Sequence, residues 1–240
     1  MTIDMASRIE RRLLVNWRAE PAVVTPLLPA GFRPQLVDGS AVVGICFIRL
    51  AQLHPRGLPI PFGLTSESAA HRIAVERDTR GSVEASVYVL RRVTNSRLAT
   101  LAGGRLFPGV HSHADFDVLD TADEIDIAFQ TADGTHDAAV FAQPTDTLNS
   151  ELFPDMRAIS TFFQSASVGW SPSRTTGAPE GIELISERWP MTPARVRHAR
   201  SNFFGNTEIF PPGSIQLDSA VVMRDLPVSW RALARTASVA

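Results

Sequence analysis

The sequence predicts an α+β fold that is mostly antiparallel β and barrel-like. Three observations carry this expectation. First, 17 prolines and 15 glycines cut the 240 residues into short apolar runs, which favours many strands over long helices. Second, several of these runs alternate apolar and polar residues with period two, as half-buried strands do. Third, Asp38-Gly39 and Asp133-Gly134 lie between such runs, and Asp-Gly suits the positive φ angles of a tight hairpin.

The elements follow in order. Residues 12–18 read as a strand, and Pro21 at a first helical position opens a short helix limited by Pro26 and Pro29. Asp38-Gly39 joins a strand at 33–37 to the run 41–50, which is apolar on both faces and therefore buried. A proline-rich loop at 54–64 precedes a second hairpin, 67–78 with 82–92 around Arg80-Gly81, in which Val83, Ala85, Val87 and Val89 alternate inward. Asn95 caps a helix with Leu98, Leu101 and Ala102 as its apolar stripe, and Pro108-Gly109 ends it. Residues 111–119, 125–131 and 137–142 form a meander. A helix at 154–165 carries Met156, Ile159 and Phe163 at core spacing. After a flexible stretch at 171–181, strands are expected at 182–187, 194–200 and 214–224. The expectation is about eleven strands and three short helices in a single domain.

A composition 44% apolar and 20% charged is that of a globular chain. The formal charge of −2 and a pI near 6.3 lack the basic footprint of nucleic-acid or anionic-membrane recognition. All 23 basic residues are arginine, and there is no lysine. No side chain can therefore form a Schiff base or act as a depressed-pKa amine nucleophile. The lone Cys46 excludes an intramolecular disulfide, and its apolar surroundings at 42–48 suggest a packing thiol. Residues 1–12 carry charges before any apolar run, unlike a secretory signal. No run approaches the roughly 18 apolar residues of a membrane span. The expected setting is cytoplasmic and the expected partner a small molecule, with no nucleic acid and no membrane; self-association is left open.

The densest chemical constellation is His111-Ser112-His113-Ala114-Asp115. On a strand His111, His113 and Asp115 share one face, which allows a metal set as the weaker reading. Without a metal, the near-neutral pKa of His111 and His113 suits general acid/base work. Glu67, at a loop-to-strand junction, is a candidate acid, with His71 on the same strand. Arg72, Arg91, Arg92 and Arg105 are candidate carboxylate clamps, because a planar guanidinium binds that group through two parallel hydrogen bonds. There is no G-x-S-x-G elbow, phosphate loop, dinucleotide fingerprint or paired C-x-x-C, and no cofactor is implied.

Several segments together resemble a known family: Val15-Asn16-Trp17-Arg18, Leu28-Pro29-Ala30-Gly31-Phe32, Val37-Asp38-Gly39, the run 42–49, and Arg56-Gly57-Leu58-Pro59. Glu67 at its strand entry, the helix at 97–107, His113-Ala114 and Arg188-Trp189-Pro190-Met191 continue the pattern. The chain resembles an uncharacterised bacterial branch, domain of unknown function 2071, of the acetoacetate decarboxylase-like superfamily. The resemblance implies a mostly antiparallel β fold enclosing a cone-like cavity flanked by helices. In acetoacetate decarboxylase that cavity holds a Schiff-base lysine, a second lysine and an assisting glutamate. Aligned through Gly104-Arg105, the lysine pair falls on His111-Ser112-His113 and the glutamate on Glu67.

The departures decide the chemistry. Without lysine, imine-based decarboxylation lacks its amine. His71 stands where the family places an arginine and Arg72 follows it, so either a bulge returns Arg72 to the cavity or His71 takes its role. The leading expectation is a small-molecule enzyme in which Glu67 and His111 or His113 perform acid/base chemistry on a carbonyl- or carboxylate-containing substrate. His71, Arg72 and Arg105 would bind that substrate. The alternative is a non-catalytic protein that binds or senses an apolar acid.

Overall fold

The computed structural model describes residues 4–57, 64–79, 81–101, 109–173 and 178–233. The strands are β1 (Met5–Ala19), β2 (Arg33–Pro34), β3 (Leu36–Val37), β4 (Ser40–Pro55), β5 (Leu64–Thr79), β6 (Ser82–Thr94) and β7 (His111–Asp120). They continue as β8 (Ile125–Thr131), β9 (Asp137–Pro144), β10 (Val168–Ser171), β11 (Glu180–Ile185), β12 (Thr192–Ser201) and β13 (Ile215–Ala232). Three short helices, α1 (Pro21–Val24), α2 (Arg97–Leu101) and α3 (Met156–Ser165), interrupt them.

All 13 strands belong to one sheet, ordered β11-β10-β6-β7-β8-β9-β12-β13-β1-β4-β5-β2, with β3 on β4. Extra pairings of β6 with β5 and of β11 with β13 close this sheet into a larger and a smaller circuit. The larger runs β6-β7-β8-β9-β12-β13-β1-β4-β5, and the smaller runs β6-β10-β11-β13-β1-β4-β5. The strands β13, β1, β4, β5 and β6 form a wall common to both. This explains why 41–50 is apolar on both faces: each face of β4 meets a different interior.

The mostly antiparallel expectation holds with two exceptions, because β6 pairs parallel to both β7 and β10. A strand that returns after a helical crossover runs parallel to its predecessor, and α2 lies in the connection from β6 to β7. The fold is therefore not a simple barrel. The strand β10 was not foreseen; its four residues Val168-Gly169-Trp170-Ser171 are too few to show a period. Of the valines expected to alternate inward on β6, Val83 is exposed, whereas Val87 and Val89 reach an interior cavity.

Alternation sorts the wall into its two faces. Leu13, Val15 and Trp17 of β1, Ile45 and Phe47 of β4, and Ala69 and Ile73 of β5 face the larger core with Phe129, Phe203 and Phe204. Leu14, Val42, Cys46 and Ala74 face the smaller interior, where Ile159 and Phe163 of α3 cover them. Asp155 starts α3 by accepting a hydrogen bond from the Ala158 N–H at 2.8 Å. Register irregularities between Ile9 and Arg11 against β4 turn Ile9 to the smaller interior and Arg11 to the larger one.

A cationic cavity in the smaller circuit

Register places three rows of side chains on the inner face of the common wall. One row runs Leu14, Cys46, Ala70, Arg92 and His111 across β1, β4, β5, β6 and β7. On one side of it lie Asn16, Gly44 and Arg72, and on the other Arg12, Ile48, Ser68 and Thr94. The methyl group of Ala70 at the centre, and Gly169 on β10 opposite, leave space between these rows. The result is a cavity of about 110 Å³ lined by Cys46, Ala70, Arg72, Arg92 and His111, with apolar walls from Val87, Val89, Ile182 and Leu184. A second space of about 90 Å³ adjoins it, sharing Ile48, Ser68, Arg92, His111, Ile182 and Trp230.

Among the described residues three arginines face this cavity and no Asp or Glu lines it. Arg72 is 3% exposed. Its Nη2 donates to Asn16 Oδ1 at 2.6 Å, and its guanidinium lies 4.5 Å from the Phe163 ring centre. Among the described residues its Nε and Nη1 have no hydrogen-bond partner. Arg92 donates from Nε to Ser171 Oγ at 3.1 Å, in a niche where a Cβ on Gly109, whose φ is +91°, would stand 2.7 Å from Ser171 Cβ. Arg12 lies over the Trp189 ring at 5.3 Å. Among the described residues neither Arg72 nor Arg92 has an acidic partner. Burial pushes both guanidinium groups down to about 10, partly offset in each by the nearby Cys46 sulfur, so both stay charged at neutral pH. Removing a charge from water without a counter-charge costs several kcal/mol, of order 5.

The candidate site residues divide between the two interiors. His111 and Arg72 come together in the cavity. The alternation of β5 turns Glu67 and His71 to the opposite face, so neither lines the described cavity. Glu67 is bound there by Arg11 Nη2 at 2.5 Å and Arg49 Nη1 at 3.0 Å, and Arg11 also reaches Asp120 at 3.3 Å. His71 sits among Phe129, Phe203 and Phe204, its Nε2 2.8 Å from Ser201 Oγ. Arg105 lies outside the described residues.

A register shift lies at His71/Arg72, but the extra residue, Leu90, is on β6 and not on β5, so Arg72 reaches the cavity by plain alternation and not by the bulge posed as one option for its own strand. The extra residue on β6 sends Arg91 toward Phe203, 4.6 Å from the ring centre, and Arg92 into the cavity. His113 opposes Thr94 beyond the cavity lining, and Asp115 is exposed. Alternate strand residues are about 6.8 Å apart, so His111 and Asp115 are strung out along β7 rather than gathered. Among the described residues no three His, Cys, Asp or Glu side chains group as a metal site would require. Arg12 and Cys46 were not singled out as site residues; two-residue alternation from Leu14, combined with the β1–β4 register, is the signal that places them.

Residues 6–218 match the family model DUF2071, described as an uncharacterized conserved protein. No curated protein matches the sequence. Among solved structures, an acetoacetate decarboxylase-like enzyme from Sphingomonas wittichii RW1 superposes with a TM-score of 0.61 at 14% identity, covering 98% of this chain and 92% of that one. Acetoacetate decarboxylase from Legionella pneumophila gives 0.60 at 12% identity, with 97% and 88% covered. The enduracididine biosynthesis enzyme MppR complexed with pyruvate gives 0.60 at 12% identity, with 98% and 89% covered. Among the described residues no helix is long and apolar enough to cross a membrane.

Proposed function

Because the chain belongs to the DUF2071 family and has the acetoacetate decarboxylase-like fold, we propose that it is a small-molecule enzyme acting on a small organic acid held in the cationic cavity. The observation that carries this reading is the pair Arg72 and Arg92, two buried guanidinium groups in a cavity with apolar walls and, among the described residues, no acidic residue in its lining. A ligand carboxylate supplies the missing counter-charge and accepts the free N–H groups of Arg72. The apolar walls select a short hydrocarbon body.

His111, next to Arg92 in register, is the proton donor and acceptor of this proposal. Enolisation or dehydration beside a carboxylate needs one such group within reach of the reacting carbon. The amine route of acetoacetate decarboxylase has no nucleophile here, since the chain lacks lysine. Glu67, tied to two arginines on the other face, has a supporting role. Its distance from the cavity favours a second reading, in which the protein binds the acid without transforming it.

Titration calorimetry with a panel of two- to six-carbon acids tests the first step. Arg72→Met and Arg92→Met should each weaken binding about 10- to 100-fold, the worth of a charge-assisted hydrogen bond. Equal affinity in wild type and both variants would overturn the carboxylate assignment. Mass analysis of the incubated acids then separates the readings: a product that disappears in His111→Gln supports the enzyme, and bound acid recovered unchanged across the panel supports the binding protein.

A further inference from the structure

The same cavity holds a group that the proposed acid/base chemistry does not use. Cys46 is 9% exposed and, instead of being enclosed wholly by core side chains, contributes to the cavity lining. It is the only cysteine of the chain. It stands directly opposite Leu14 on β1 and Ala70 on β5, so Arg12 and Arg72 are its diagonal cross-strand neighbours. Diagonal pairs are about 7–8 Å apart, within reach of an arginine side chain. Arg92 lies beyond Ala70, about 10 Å from Cys46 by two strand spacings.

The thiolate is the nucleophilic form of a cysteine, and the cavity that Cys46 lines is walled by three arginines that draw an anionic reagent into it. An acid whose carboxylate meets Arg92 and Arg72 must lay its next carbons over Ala70, toward the sulfur. We propose that Cys46 is a nucleophilic site adding to small carboxylic acids that carry an electrophilic carbon, α,β-unsaturated acids above all; this rests on the carboxylate reading of the cavity. In the addition the sulfur forms a bond to the β-carbon and the alkene electron pair moves to the α-carbon. The proton released by the thiol returns to that carbon through His111 or water. Nothing leaves, and no oxidant or reductant is needed.

The single cysteine makes the test direct by intact mass. Native protein should react with iodoacetate in preference to iodoacetamide by at least tenfold, relative to the same chain unfolded in urea. Arg72→Met and Arg92→Met should each erase most of that preference. Acrylate should add once per chain to wild type and not to Cys46→Ala. If acrylate leaves wild type unmodified while propionate still binds by calorimetry, the thiol proposal fails and the carboxylate reading stands. If propionate does not bind and native protein shows no preference for the anionic reagent, both fail.

Discussion

His71 shows what burial does to a single titratable group. Its ring centre is 5.4 Å from that of Phe203 and 5.5 Å from that of Phe204. Burial first, then the charges of Arg91 and His136, push its pKa down to about 3. An unfolded histidine takes up its proton near pH 6.5, which native His71 refuses until about pH 3. The unfolded state therefore binds more protons across this window. Stability is complete above pH 6.5 and falls as the pH drops toward 3, with a slope of up to about 1.4 kcal/mol per pH unit from this residue. Urea unfolding at pH 7 and pH 5 should show His71→Leu losing about 2 kcal/mol less than wild type between the two. Equal losses would mean that His71 titrates in the native state like an exposed histidine.

At the scale of elements, α3 is the piece whose sequence and structure agree most closely. Met156, Ile159 and Phe163 recur at helical spacing, so the buried face could be read without coordinates; the helix starts at Met156 and not at the expected 154, with Asp155 as its cap. Asp155→Ala should cost about 1 kcal/mol in urea unfolding by leaving the Ala158 N–H without its acceptor, and no change would show the cap to be replaced by water. The hairpin of β5 and β6 was legible for the same reason, since period-two alternation is local. Its bulge was legible only as an option, and for β5 rather than β6. The extra residue, Leu90, is apolar like its neighbours, and nothing in Val89-Leu90-Arg91-Arg92 says which arginine turns inward until the partner strand is in place. The strand β10 was hidden by shortness, and its parallel pairing with β6 depends on residues far away in the chain.

The whole molecule explains why Glu67 and His111 looked like partners in the sequence and are not neighbours in the cavity. A simple barrel has one interior, so inward residues on adjacent strands converge. Here the common wall has two interiors, and alternation decides which one each residue serves: Glu67, Ala69 and His71 the larger, Ser68, Ala70 and Arg72 the smaller. Composition and periodicity do not reveal a second circuit, because it arises from the pairings of β10 and β11 with β6 and β13. Consecutive residues on β5 should therefore control different properties. Glu67→Gln removes a carboxylate from between Arg11 and Arg49 and leaves the buried Arg11 with Asp120 alone. Breaking a buried pair in this way should cost about 3–5 kcal/mol in unfolding free energy. Carboxylate affinity, measured below the variant's unfolding transition, should change less than about threefold, under about 0.7 kcal/mol. Arg72→Met should do the reverse, weakening the ligand while holding or raising stability, since it replaces an unpaired buried charge with an apolar side chain. A Glu67→Gln variant that stays stable but no longer binds would place that carboxylate in the ligand site and join the two interiors into one.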